Sequence, residues 1–255
     1  MPRWVGGSIG IVIIVAFWYL ASQTVYTATH AVPTPWSVVK HYGSAGDWRI
    51  LMDNFGPTTV EALWGYLWGN LAAFAAAALV LLVPRMSEVV NQIAVVTYCL
   101  PPVAIGAILV EASPLGSSYP PIILAAMAPF FTTVVGSLVG FRAASRTSLD
   151  MVTAYGGSRF TQLRKVQVIA ALPNIFASLK IAAPAAFLGA VLGEFVGGGG
   201  DSSVGVALIA AQSHLQSDVL WWIALSSGAV AGIGYGIAAL VAKLVTPWSS
   251  GGTGR

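Results

Sequence analysis

Residues 150–173 read DMVTAYGGSRFTQLRKVQVIAALP. Charged residues are 8% of a chain that is 56% hydrophobic, yet Arg159, Arg164 and Lys165 fall inside this stretch, and Arg142 and Arg146 lie just before it. The segments on either side, 121–141 and 175–196, are apolar and each long enough to cross the roughly 30 Å hydrocarbon core of a bilayer. The charged stretch is therefore a loop at the membrane surface, held between two spans.

Working outward, the whole chain follows the same pattern. A mean hydropathy of +0.79 leaves more apolar surface than a water-soluble core could hide, so lipid is the solvent for much of it. Six spans emerge, at about 8–28, 62–83, 90–110, 121–141, 175–196 and 220–242. Helices are expected because each span must satisfy its own backbone in lipid, and no ten-residue alternation suggests a barrel. The fold class is an all-α, polytopic membrane protein. A cleaved signal peptide over residues 1–31 is the competing reading of the first span; Trp18, Tyr19 and the length of the apolar run favour a retained helix.

Orientation follows from the basic residues. A cytoplasmic N-terminus puts Arg3, Arg85, Arg142, Arg146, Arg159, Arg164, Lys165, Lys243 and Arg255 inside, and leaves only Lys40 and Arg49 outside. Lys180, early in its span, can snorkel to the inner face. The 143–174 loop is then cytoplasmic, and Trp221 and Trp222 sit at the outer interface. Other chemistry is excluded. The one cysteine, Cys99, lies in an apolar run and offers neither a disulfide nor a CxxC metal site, and no Lys/Arg run of nucleic-acid-binding length exists.

A cytoplasmic connector of this length is expected to have structure of its own. Ser148 or Asp150 can cap a short helix through Tyr155, and Gly156 and Gly157 would end it. A second helix, about 158–171, ends where Pro173 opens the next span. The product is two short helices joined by a glycine turn, a docking surface facing the cytosol.

The pattern of Asp150, Met151 and Val152, then Gly156, Gly157, Ser158 and Arg159, then Leu172 and Pro173, resembles the EAA loop of permease subunits of binding-protein-dependent ABC importers. Asp150 stands in place of the usual Glu, Met151 and Val152 in place of two alanines, and Ile169 where a proline is often found. PTPWSVV (33–39), the CLPPVA stretch, the Gly193-Glu194 pair and AQSHLQSDVLW look like the nitrate, sulfonate and taurine branch, over about residues 15–245. The resemblance implies a type I importer permease: residues 1–248 as one transmembrane domain with a coupling loop, and 249–255 as a disordered tail. It implies that Asp150, Met151, Val152, Tyr155, Gly156, Gly157, Ser158, Arg159, Leu172 and Pro173 couple the chain to an ATPase. It further implies two ABC ATPase subunits, a second permease copy, an extracytoplasmic solute-binding protein and a bacterial cytoplasmic membrane. The solute would be a small anion such as a sulfonate, taurine or nitrate. No cofactor is expected in this chain; ATP and Mg2+ belong to the partner, because no GxxxxGK[ST] phosphate loop occurs here.

Residues outside the loop give weaker signals. Pro101-Pro102 breaks the third span near its middle and is a candidate for the translocation path or for a packing kink. Glu194, near the outer end of its span, is a candidate for an external gate or for contact with a docked binding protein. Glu61 and Glu111 read as solvated span ends, His214 as a lone structural histidine, and 197–200 as an outer hinge followed by a short helix over 204–211. Gly228, Gly232 and Gly236 have the spacing of a close helix contact, within the bundle or between subunits. A secondary transporter is the alternative, but it would more often show paired ions deep in its spans and an internal repeat. A membrane enzyme would need a clustered catalytic set, which the three histidines and nine acids do not form.

Overall fold

The computed structural model describes residues 3–24 and 31–248, so the tail expected at 249–255 and the end of the first span fall outside the described residues. The first helix, α1 (Arg3–Thr24), is followed by a short surface helix, α2 (Pro35–Lys40). Thr34 starts α2 by accepting from Ser37 N–H at 3.3 Å, with Pro35 at the first position, where its missing donor costs nothing. The second long helix, α3 (Ala45–Leu82), has 38 residues, about 57 Å at 1.5 Å per residue and nearly twice the bilayer core. The expected span 62–83 is thus only its second half.

The third span is bent by 83° into α4 (Ser87–Cys99) and α5 (Pro102–Glu111). Two prolines in succession remove two donors and push each preceding residue out of the helical region: Leu100 has ψ 130° and Pro101 ψ 115°. Four further long or linking helices follow, α6 (Tyr119–Arg142), α7 (Arg146–Ala154), α8 (Arg159–Gln162) and α9 (Val168–Phe195). A π turn, Leu163–Gln167, joins α8 to α9, giving one apolar helix over Arg159–Phe195. This corrects the expectation that a second loop helix stops before Pro173. Leu172 and Pro173 lie inside α9, which carries both Pro173 and Pro184 without ending. The chain closes with α10 (Val204–Ser213), where the short outer helix was expected, and α11 (Ser217–Val245).

The bundle is built around α6, which packs most extensively on α9 and then on α3. Three pairs of glycines spaced four apart make that approach possible. Gly65 and Gly69 on α3 press on Ala125 and Ala126. Gly136 and Gly140 on α6 meet Ser178 and Ala171, and Gly189 and Gly193 on α9 meet Ala125 and Pro121; a Cβ at Gly189 would lie 2.7 Å from the Leu124 carbonyl oxygen. Small residues at crossings let backbones touch, which drives helix association in lipid. The spacing singled out in the sequence, Gly228, Gly232 and Gly236, instead faces open space, with nothing within 4 Å.

Polar groups link the same helices. Thr133 Oγ1 donates to Asn70 Oδ1 at 2.6 Å, Asn70 Nδ2 donates to the Tyr66 carbonyl at 2.7 Å, and the Tyr66 hydroxyl donates to the Leu179 carbonyl at 3.3 Å. By contrast α1 is almost unpacked, touching mainly α2, with 6% of its apolar window buried.

Candidate functional site

Two ends of the bundle carry the residues that matter. At one end, the α7–α8 loop is a corner built from local rules. Ser145, rather than Ser148 or Asp150, caps α7, accepting from Ser148 N–H at 3.2 Å; Asp150 sits inside the helix and its side chain faces out. Helix α7 stops at Ala154 with two linked bonds: Gly156 N–H donates to the Thr153 carbonyl at 2.9 Å and Gly157 N–H to the Val152 carbonyl at 2.8 Å. This is the Schellman stop, which needs a left-handed residue, and Gly156 has φ +77°. Gly157 is required for a second reason: a Cβ there would collide with the Val152 side chain. Ser158 then caps α8, accepting from Thr161 N–H at 3.3 Å.

The outward face of this corner is apolar. Met151, Tyr155 and Phe160 are 60%, 83% and 69% exposed, while Arg159 lies beside them. The structure brings the loop residues from Asp150 to Arg159 onto one projecting unit and places Leu172 and Pro173 away from it, within α9. The helix directions put Arg85, Arg142, Arg146, Arg159, Arg164, Lys165 and Lys243 at this same end, where Arg142 donates to Ser87 Oγ at 3.1 Å.

At the opposite end, α10 is pinned by its first turn. Its first three donors go to two other helices and to its own cap: Val204 N–H to Thr58 Oγ1 of α3 at 3.0 Å, Gly205 N–H to Glu194 Oε2 of α9 at 2.9 Å, and Val206 N–H to Ser203 at 3.3 Å. The Glu194 carboxyl oxygen satisfies one of the free donors of the α10 first turn, and only glycine fits at 205, where a Cβ would overlap Glu194. The 197–200 run is an ordered turn with positive φ at Gly197 and Gly199, tied by Gly199 N–H to the Ser117 carbonyl at 2.8 Å.

Glu194 is fully buried, and so, at 6% exposure, is Glu61, which corrects its reading as a solvated span end. The two carboxyl groups lie within hydrogen-bonding reach, with Gly199 packed over both. Thr58 adjoins them, its hydroxyl within reach of both Glu194 and the Asn54 carbonyl, the latter at 3.1 Å. Glu61 Oε2 and Glu194 Oε1 have no hydrogen-bond partner outside this acid pair. Nothing in the sequence pairs these acids, because they approach only when α3 meets α9. Glu111 is exposed, as expected, and so is His214, which caps the end of α10.

No signal in the sequence marks His41, which the structure places in a polar junction. His41 Nδ1 lies 2.9 Å from Asp47 Oδ2 and Nε2 lies 3.2 Å from Asp218 Oδ2, joining the α2–α3 connection to the start of α11. Its ring stacks on Trp222 at 5.3 Å, and Trp222 is only 1% exposed. The expected interfacial tryptophan pair is therefore split: Trp222 is core, while Trp221 stacks on Trp18 and donates to the Ala31 carbonyl at 3.2 Å.

Pro101 and Pro102 sit at the bend of the third span. Pro102, Leu100, Leu124, Met127 and Leu188 line a hollow of about 200 Å³ beside it. Among the described residues no group of three or more His, Cys, Asp or Glu side chains could hold a metal ion.

Fold and site together define a polytopic all-α membrane protein with two structured ends. Residues 65–250 match the family described as binding-protein-dependent transport system inner membrane component, and the chain belongs to that family. It is a membrane permease component of an ABC-type importer. It is similar to a probable ABC transporter permease protein of Haemophilus influenzae, 25% identical over 209 residues, 82% of this chain and 83% of that protein. It is also similar to the riboflavin transport system permease protein RibX of Chloroflexus aurantiacus, 30% identical over 131 residues, 51% of this chain. That match spans 47% of RibX, about half its length. The solved structure of an amino acid ABC transporter with histidines shares the fold, with a TM-score of 0.63 at 12% identity, covering 76% of this chain and 94% of that one.

Proposed function

We propose that this chain forms the solute path of an importer and is driven by a separate ATPase that docks on the α7–α8 corner. The observation that carries the reading is the exposed apolar face of Met151, Tyr155 and Phe160 on a corner built from two caps and a Schellman stop. Such a face outside the bilayer asks for a protein partner. Because α8 runs through the π turn into α9, movement at the corner passes directly into a helix that reaches Glu194. The concentration of basic residues at the α7–α8 end supports a cytosolic placement of that end and of the N-terminus.

In this reading the opposite end faces outward, and Glu194, Glu61 and Thr58 hold α10 closed as a gate under a solute-binding protein. Pro101-Pro102 supports a path-lining role for the third span, since its bend leaves backbone carbonyls without helical partners beside a hollow. An ATPase dimer needs two docking corners and this chain has one, which favours a pair of permeases. The unpacked α1 and the open glycine face of α11 are compatible with that pairing. Resemblance to the nitrate, sulfonate and taurine branch favours a small anion as solute, while one relative is named for riboflavin transport.

The test is coexpression with the neighbouring genes, extraction in mild detergent, and measurement of ATP hydrolysis that comes down with the tagged chain. An ATP-hydrolysing partner with the wild type, lost on Gly156→Trp, supports the reading. Absence of any ATPase with the wild type overturns it in favour of a secondary carrier.

A further inference from the structure

Helix α7 has few attachments. It packs on α8 and makes no comparably extensive contact with any other element, so a push on α7 reaches the bundle through α8. The glycine turn joins the two only by backbone. Among the described residues, the side-chain hydrogen bonds from α8 to α7 both come from Gln162. Its Nε2 donates to the Leu149 carbonyl at 3.0 Å and to Thr153 Oγ1 at 2.7 Å. Thr153 Oγ1 in turn donates to the same Leu149 carbonyl at 3.1 Å, closing a small ring of bonds.

The orientation of this amide is fixed by chemistry. A carbonyl oxygen can only accept, so the nitrogen must face Leu149, and both amide protons are used. Gln162 is also the last residue of α8, immediately before the π turn at Leu163–Gln167. A π turn widens a helix locally and often marks a functional site. Without a tie ahead of it, rotation of α7 would be absorbed at the Gly156–Gly157 turn and the adjoining helix end.

We propose that Gln162 is the positioning residue that makes the docking helix α7 and the long helix α9 move as one body. The proposal rests on the reading of the α7–α8 corner as the ATPase dock. Glu is the diagnostic replacement: it keeps the shape but cannot donate to the Leu149 carbonyl, which only accepts.

The experiment uses the complete transporter in lipid, in a Cys99→Ala background with Ser213→Cys on α10 as a thiol probe. Two quantities are read: the ATPase retained on the permease, and the change in thiol labelling rate when ATP and vanadate trap the ATPase. Gln162→Glu and Gln162→Ala should retain the ATPase and the thermal midpoint, yet lose about tenfold of the labelling response, the scale of one net hydrogen bond. Thr153→Ser should behave as wild type. Thr153→Val should weaken the response, and combining it with Gln162→Ala should add little, as expected for residues acting through one network. A full response in Gln162→Glu with the ATPase bound overturns the proposal and leaves the dock intact. So does a wild type whose labelling does not change on trapping. Failure of the ATPase to bind the wild type instead removes the dock itself.

Discussion

Glu194 Oε2 accepts from the backbone N–H of Gly205 at 2.9 Å, and no side chain other than hydrogen fits at 205 without striking Glu194. An acid on one long helix thus closes the first turn of another. Glu194→Ala should free that turn and leave a buried donor unpaired, at a cost of about 1–3 kcal/mol. Glu194→Gln retains an acceptor and should lose less. Thermal unfolding in detergent, followed by tryptophan fluorescence, separates the two variants.

Glu61 supplies the opposite test. Glu61 and Glu194 lie within hydrogen-bonding reach, where two buried carboxyls hold a proton between them, so Glu61→Gln replaces that shared acid proton with a fixed amide donor. That variant should be at least as stable as the wild type and should slow the hydrogen exchange of the α10 amides. Faster exchange in Glu61→Gln would contradict the paired geometry.

Two adjacent glycines should respond differently to alanine. At Gly156 the obstacle is a left-handed backbone, φ +77° with open space around it, and Gly156→Ala should cost about 1 kcal/mol. At Gly157 the obstacle is the Val152 side chain and carbonyl, so Gly157→Ala should displace the α7 stop and cost more. Pairing Gly157→Ala with Val152→Ala should recover part of the loss, a rescue that Gly156→Ala cannot show. Association with the ATPase and thermal midpoint are the readouts.

His41 joins three elements through two carboxylates and a tryptophan face. His41→Phe should keep the stacking on Trp222 and lose the two polar contacts; His41→Ala loses both. A graded fall in thermal midpoint, Ala below Phe below wild type, is expected. Equal midpoints for all three would contradict a joining role.

The spans and their charge asymmetry were legible because hydropathy is a property of consecutive residues. Helix α3 was not legible in full, since Asp47, Arg49, Asp53 and Pro57 in its first half break an apolar window while leaving the helix intact. The bend at Pro101-Pro102 was readable from two missing donors. The loop's glycine stop was readable too, but not its cap: Ser145, Ser148 and Asp150 are all competent, and only the path of the backbone chooses Ser145. The glycine contacts within the bundle lie on α3, α6 and α9 and not on α11, whose Gly228, Gly232 and Gly236 meet nothing in the same chain, because spacing alone does not say which face meets a neighbour. Glu61 with Glu194, and His41 with Asp218, are meetings between distant segments that one sequence does not reveal.

The central claim is that the Met151–Tyr155–Phe160 face receives the ATPase. Tyr155→Cys in a Cys99→Ala background, treated with a short thiol cross-linker in the assembled transporter, tests it most directly. The account predicts one cross-linked product with the ATPase subunit, its yield changed by ATP trapping, and none from Leu215→Cys at the other end. Cross-linking from residue 215 and not from 155 would contradict it.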